Sequence, residues 1–308
     1  MHQDRKIVIT AANSFMGRYL ARFFHGLGWD VVGIARRQKG MDENCRFVEW
    51  DGASLGAWAE ELNGADLVVN LAGRSVNCRY NDENKKQILD SRIYTTRVVG
   101  EAIAQCKQPP AVWMNASTST IYRHAEDKPQ SEAFGEYGEG FSVGIAKAWE
   151  KEFFKTENIN DVRQVAMRTS MVMADEPGTV FRYLLTLAKV GLGGKVASGQ
   201  QRVSWIHMDD FCRAVIFLFK NEQIEGVVNI TAPAPLTNAE TMKRFRKAAG
   251  VPFGLPATKW MASIGAWALR TETELIFKSR WVVPILLETE GFVFKYPEMK
   301  PWEWTSAE

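Results

Sequence analysis

The chain is poor in the residues that hold metals and build disulfide frameworks, with four cysteines and four histidines in 308 residues. Cys45, Cys78, Cys106 and Cys212 lie far apart, without a CxxC pair or a neighbouring histidine cluster, so no metal site is expected and reduced thiols are the simplest state. No apolar run approaches the roughly 18 residues that span a bilayer. The opening residues also lack the apolar core of a secretory signal, and the expected compartment is the cytoplasm. An excess of one charge is missing too. The 38 Lys and Arg face 36 Asp and Glu for a net +2, so neither nucleic acid nor an anionic membrane is an expected partner. Internal repeats and low-complexity linkers are absent, which favours one interlocked unit over two independent ones.

Hydrophobic residues are abundant at 46%, ample for a full core. They fall into strand-like runs at Ile7–Thr10, Val31–Ala35, Arg46–Trp50, Leu67–Leu71, Val112–Ala116 and Val162–Arg168. Between these runs the spacing predicts helices ending at Gly28, near Leu55–Leu62, over Asn81–Gln105 and over Phe141–Lys155. Repetition of strand, helix and strand points to an α/β fold with a parallel, doubly wound sheet. Past residue 170 the pattern loosens into helices over Thr179–Val190, Asp209–Lys220 and Asn238–Ala249, a strand at Val227–Ile230, and a mostly helical, tryptophan-bearing tail from Leu255.

The entry to the first helix, Lys6-Ile7-Val8-Ile9-Thr10-Ala11-Ala12-Asn13-Ser14-Phe15-Met16-Gly17-Arg18-Tyr19-Leu20, has the strand, turn and helix order with which a Rossmann-type domain receives a dinucleotide. Of the three glycine positions of such a turn, two read Ala11 and Ser14, and Gly17 alone remains. Gly17 keeps the helix-packing role, Asn13 is a residue that tolerates positive φ, and Ser14 adds a Cβ near the phosphates together with a hydroxyl that can donate to them. Thr10, Phe15 and Met16 complete the candidate phosphate turn. The second strand ends in Ala35-Arg36-Arg37 where an NAD enzyme places an acid for the ribose hydroxyls, so Arg36 and Arg37 favour the 2′-phosphate of NADP over NAD. Asp51, after the third strand, is placed to accept from the adenine amine, and Leu71-Ala72-Gly73 are small enough to let a cofactor cross the sheet edge. A turn that has kept its shape and lost its ligand, with binding weak or absent, is the competing interpretation.

At this point the chain resembles the extended, atypical short-chain dehydrogenase/reductase superfamily, and within it a sugar-nucleotide epimerase-like family with a C-terminal domain of the DUF1731 type. The likeness is carried by Asn70-Leu71-Ala72-Gly73, Asp90-Ser91-Arg92-Ile93 with Thr95 and Arg97, Ala146-Lys147-Ala148-Trp149-Glu150, Ser204-Trp205-Ile206-His207-Met208-Asp209-Asp210 and Asn229-Ile230-Thr231-Ala232-Pro233. The tail Phe277-Lys278-Ser279-Arg280, Leu286-Leu287, Gly291-Phe292 and Tyr296-Pro297 is similar to that C-terminal domain. The resemblance implies an NAD(P)-binding domain over 1–170, to which segments around 200–232 return. It also implies a smaller, mainly helical substrate-side lobe over 171–308, with 255–302 as the family-specific part, and Arg92 as a cofactor contact.

Catalysis in that superfamily uses a Tyr-x-x-x-Lys pair in which the lysine lowers the tyrosine pKa. Aligned on Ala148-Trp149-Glu150, this chain has Ser142 and Ala146 there, and its single Tyr-x-x-x-Lys, Tyr296 to Lys300, encloses a proline and lies far from that helix. The superfamily's hydroxyl after the fifth strand falls on Thr118, preceded by Ser117 as a cofactor contact. Tyr122 is the candidate replacement acid or base, with Tyr137 a second choice, although an unassisted phenol near pKa ~10 is a poor base at neutral pH. Lys147 has a solvated role or a ribose to reach, Arg202 a diphosphate, and His207 a packed junction; His25 and His124 read as surface residues. The expected activity is an NADP-using oxidoreductase or epimerase acting on a small carbonyl, alcohol or nucleotide-sugar-like compound. The alternative is an inactive NADP-sensing or protein-interaction member. A homodimer is left open as the macromolecular partner.

Overall fold

The computed structural model describes residues 5–155, 159, 161–268 and 272–305. In chain order the elements are β1 (Lys6–Thr10), α1 (Phe15–Gly26), β2 (Asp30–Ala35), β3 (Arg46–Glu49), β4 (Leu67–Asn70), α2 (Asp82–Ala104), β5 (Val112–Thr118), α3 (Phe141–Phe154) and β6 (Arg163–Thr169). There follow β7 (Met171–Met173), α4 (Val180–Lys189), β8 (Arg202–Val203), β9 (Trp205–His207), α5 (Met208–Lys220), β10 (Gly226–Ile230), β11 (Leu236–Thr237) and α6 (Asn238–Ala249). The chain closes with α7 (Lys259–Ala268), α8 (Glu274–Phe277), α9 (Ile285–Thr289) and α10 (Pro301–Trp304).

Strands alternate side chains between two faces, and both faces here are apolar, which requires helices on each side. Ile7 and Ile9 of β1 pack with Leu20 and Phe24 of α1 and Phe211, Val215 and Leu218 of α5. Val8, one residue out of phase, packs on the opposite face with Val98, Val99 and Ala102 of α2 and Phe153 of α3. The result is a seven-stranded sheet in the order β10-β6-β5-β4-β1-β2-β3, with every pairing parallel. From β1 the chain first builds outward through β2 to β3, then returns to β4 on the other side. Strand order therefore reverses between β1 and β4, and open α/β sheets receive ligands outside the carboxyl ends of the strands at such a reversal.

Helix starts are set by local chemistry. Ser14 caps α1, Asn81 caps α2, Thr179 caps α4, and Thr237 with Glu240 forms a reciprocal capping box on α6. The segment expected as a short helix near Leu55–Leu62 is a 3-10 turn over Ala57–Leu62. Strand β5 runs past Ala116 to Thr118, level with Thr169 of β6, so the hydroxyl run lies at the sheet's carboxyl edge.

The remaining elements form a smaller lobe with its own core, in which Phe181 and Leu185 of α4, Trp205, Leu236, Phe245 of α6 and Met299 pack together. The two parts interlock. Strand β10 completes the main sheet beside β6, and Leu287 and Phe292 near the C-terminus enter the main core with α1 and α5. Residues 278–283 thread between β8 and the loop after β5, with backbone bonds from Arg280 to Arg202, from Ala125 to Ser279 and from Gln130 to Trp281. Among the described residues no helix is long and apolar enough to cross a membrane.

Candidate functional site

The turn after β1 sits at the strand-order reversal. Ser14 Oγ accepts from Gly17 N at 3.1 Å, which leaves the first-turn N–H groups of Phe15 and Met16 without intrahelical acceptors, the ordinary anion-facing end of a helix. The positive φ falls on Ala11, at 51°, and not on Asn13. Asn13 instead donates from Nδ2 to Arg37 O at 3.2 Å, tying this turn to the end of β2. Gly17 is fixed by packing, because a Cβ there would lie 2.5 Å from Ala11 O.

Arg36 and Arg37 are exposed beyond β2, and among the described residues neither guanidinium has a hydrogen-bond or ion-pair partner. Asp51 is exposed and its carboxylate is committed to its own turn, accepting from the Ala53 and Ser54 N–H groups at 2.8 and 2.9 Å and from the Ser54 hydroxyl. These bonds, the Ser54 hydroxyl foremost, bring its pKa down to about 2. Asp51 is thus a fixed anion with part of its acceptor capacity spent.

Three expected cofactor contacts point elsewhere. Thr10 is fully buried, donates to Asn70 Oδ1 at 2.5 Å and accepts from Leu71 N at 3.1 Å, so its hydroxyl braces β1 against β4. Ala72 is buried in the core on the α2 side. Ser117 is buried and donates to Glu150 Oε1 of α3 at 2.6 Å. Leu71 is half-buried and Gly73 is exposed. A Cβ added to Gly73 would lie 3.4 Å from the guanidinium carbon of Arg92. The Arg92 guanidinium lies over Trp149 at 4.9 Å and donates to Arg74 O and Ile88 O, both at 3.0 Å. Burial lowers its pKa to about 10, which still leaves it a cation at neutral pH.

At the end of β5, Thr118 Oγ1 accepts from Thr120 N at 3.1 Å and caps a 3-10 turn over Ser119–Ile121; its hydroxyl proton remains available. Tyr122 is not placed to serve as a proton carrier. It is 1% exposed, donates to Asn229 Oδ1 and accepts from Arg168 Nη1, both at 2.9 Å, and burial pushes its pKa up. The hydroxyl of Tyr137 is likewise taken by Arg168 Nη2 at 2.8 Å. Lys147 donates to Gly138 O at 3.1 Å. Arg202 lies 4.4 Å over Trp281. His207 packs 3.8 Å from the ring of Tyr296, the residue that opens the proline-containing Tyr-x-x-x-Lys run. His124 is exposed but accepts from Ser279 N at 3.0 Å.

Two buried polar networks were not anticipated. Asn70 Nδ2 donates to Asn115 Oδ1 at 2.6 Å, and Trp149 Nε1 donates to Thr96 Oγ1 at 2.9 Å beside them; this layer underlies the reversal. Arg168 of β6 pairs with Glu150 of α3 through Nε and Nη2 at 2.8 and 2.7 Å. The signal for the first network was visible: Leu67-Val68-Val69-Asn70 and Val112-Trp113-Met114-Asn115 are apolar strands whose asparagines align in register. The second links residues far apart in the chain, beyond the reach of local pattern.

A third group comes from the C-terminal segment. Ser142, at the superfamily's tyrosine position, donates to Glu274 Oε2 at 2.9 Å. Lys278 Nζ donates to Thr120 O at 2.7 Å, and Arg280 Nε to Thr120 Oγ1 at 3.2 Å. The late segment therefore meets the turn that carries Thr118.

A doubly wound parallel sheet with a bare helix N-terminus at its strand-order reversal defines a dinucleotide-binding α/β protein of the Rossmann class. The chain belongs to the NAD dependent epimerase/dehydratase family, whose model matches residues 7–231. It is 31% identical over 296 residues to the epimerase family protein YfhF of Bacillus subtilis, covering 96% of this chain and 95% of that one. Its fold is similar to that of human epimerase family protein SDR39U1 (isoform 2), solved with NADPH, with a TM-score of 0.83, 24% identity and coverage of 97% and 98%. It is similar also to MoeE5 in complex with UDP-glucuronic acid and NAD, with a TM-score of 0.74, 18% identity and 97% of each chain covered.

Proposed function

We propose that this family member binds NADP in preference to NAD and acts on a small carbonyl, alcohol or nucleotide-sugar-like compound. The observation that carries the reading is the pair Arg36 and Arg37, exposed and unpartnered at the end of β2, where no carboxylate stands to receive ribose hydroxyls. The residues present fit a dinucleotide: bare N–H groups at Phe15 and Met16 for the diphosphate, the Ser14 hydroxyl beside them, and the exposed Gly73 at the end of β4. The NADPH named with SDR39U1 agrees with this preference, and the NAD named with MoeE5 marks the alternative within one fold.

When bound, the nicotinamide supplies or accepts a hydride. The chain's own contribution is orientation. Thr118 takes the Thr120 N–H on its oxygen and keeps its proton for the reacting oxygen of the substrate, while Arg36 and Arg37 neutralise the 2′-phosphate. A second reading, an NADP-binding protein without turnover, is favoured by Ser142 and Ala146 at the superfamily's tyrosine and lysine positions and by the enclosure of Tyr122. Turnover across a carbonyl panel separates the two.

Titration followed by nicotinamide fluorescence tests the binding claim. NADPH binds the wild type more tightly than NADH does. Arg36→Ala removes a charge-assisted phosphate contact and weakens NADPH on the order of tenfold, leaving NADH within about twofold. Equal losses for both cofactors refute the 2′-phosphate role, and no binding at millimolar NADPH refutes the reading as a whole.

A further inference from the structure

We propose that the C-terminal segment 272–280 brings an anion-binding subsite to the carboxyl end of β5, centred on Lys278, and that this subsite receives the carboxylate or phosphate of an anionic carbonyl compound. The inference deepens the proposed function and rests on it for placing the carbonyl beside Thr118. The connection runs through one residue. Thr120 donates its N–H to Thr118 Oγ1 at 3.1 Å, accepts from Lys278 Nζ at 2.7 Å on its carbonyl oxygen, and accepts from Arg280 Nε at 3.2 Å on its hydroxyl. Thr118 and Lys278, a cation that α3 does not supply, are thus joined through the single residue Thr120.

Lys278 has no carboxylate within ion-pair distance among the described residues, its ammonium resting on a neutral carbonyl. The acid nearest to it in the chain, Glu274, accepts from Ser142 Oγ. Burial first, and the neighbouring Arg280 second, bring the Lys278 pKa down to about 8, so it remains mostly charged at neutral pH. Glu274 offsets part of the Lys278 charge, and an anion in the cavity completes that compensation of a partly desolvated ammonium. Space for that anion exists. A cavity of about 520 Å³ opens here, within the range of small-molecule sites, with Arg123, His124, Glu139, Lys259, Glu274 and Lys278 in its wall. Arg123 is already satisfied by Asp127 and Glu136 at 2.7 and 2.6 Å. Lys259 and Lys278 are the wall's cations without ion pairs among the described residues.

Aldehyde trapping on the full chain tests the subsite. The neutral lysine amine adds to the aldehyde carbon, water leaves as the imine forms, and borohydride delivers a hydride to give a stable secondary amine that peptide mass spectrometry locates. Pyridoxal and benzaldehyde are the probes, each with and without inorganic phosphate or malonate. Lys278 is expected to be modified faster than surface lysines, and the anion, by holding its ammonium protonated, is expected to slow that modification on the order of tenfold while leaving surface lysines unchanged. The anion that protects identifies phosphate or carboxylate as the ligand. Labelling of Lys278 unaffected by either anion, or no faster than that of surface lysines, overturns the proposal. Thermal unfolding supplies the second measurement: inorganic phosphate or malonate raises the Tm of the wild type and of Lys278→Arg, and the rise is lost in Lys278→Met. An unchanged rise in Lys278→Met also overturns it. NADPH titration of the same preparations separates the failures, since NADPH binding without an anion effect sinks the subsite alone, and the reverse sinks the cofactor reading alone.

Discussion

At the scale of single residues, the phosphate turn separates what packing demands from what a ligand demands. A Cβ on Gly17 would meet Ala11 O at 2.5 Å and Ala12 Cα at 2.7 Å, backbone atoms that move only if α1 lifts from β1. Gly17→Ala is expected to lower stability by about 1–3 kcal/mol, read as a lower urea midpoint. Ala11 sits at φ 51°, where a Cβ is crowded, so Ala11→Gly is expected to be neutral or stabilising by up to about 1 kcal/mol. A loss at Ala11→Gly comparable to that at Gly17→Ala would contradict this account. Gly17 was legible in the sequence because one steric requirement fixes one residue type. The positive φ at Ala11 was not, since nothing local distinguishes it from Asn13 as the residue that bends. The internal partners of Thr10, Ser117 and Tyr122 were hidden for a related reason: hydroxyls near a sheet edge alternate between open and buried sides, and Asn70, Glu150 and Arg168 lie far away in sequence.

At the scale of elements, apolar periodicity located the seven strands of the main sheet and the long helices, because each buries a face. Strands β7, β8, β9 and β11 escaped notice, being too short to show a period. The junction from β9 to α5 shows how a buried titratable group serves an element. His207 Nδ1 accepts from Asp209 N at 3.1 Å and so caps α5, while its ring packs against both Tyr296 and Trp304. Burial lowers its pKa to about 4 against the opposing influence of Asp209 and Asp210, with Lys295 adding to the fall. Protonation would convert the capping acceptor into a donor. Between about pH 6.5 and pH 4 the unfolded chain takes up this proton and the native chain does not, so stability falls as pH drops through that window, by on the order of 3 kcal/mol at its lower end. His207→Asn keeps an acceptor at the cap and removes the titration. Urea unfolding across that range is expected to show a shallower pH dependence for the variant than for the wild type, and parallel curves would exclude His207 as the source.

At the scale of the whole molecule, the two cores are joined by late segments that return to the first. Strand β10 is hydrogen-bonded along β6, and Leu287, fully buried, lies in the same cluster as Leu20 and Phe24 of α1 and Phe211 of α5. The C-terminal tail is thus part of the dinucleotide-binding core as well as the carrier of Lys278 and Arg280. Unfolding of the smaller lobe would expose the main core, which makes a single cooperative transition the expected behaviour. Leu287→Ala removes a buried side chain remote from the proposed cofactor turn and is expected to lower stability by about 2–5 kcal/mol. In calorimetry the whole endotherm should move down by several degrees as one peak. Saturating NADPH should move wild type and variant upward together, because a ligand bound to the native state stabilises every element that unfolds with it. Two resolved endotherms, with only one shifted by Leu287→Ala, would show that the lobes unfold separately and that the tail's contacts with α1 and α5 do not couple them.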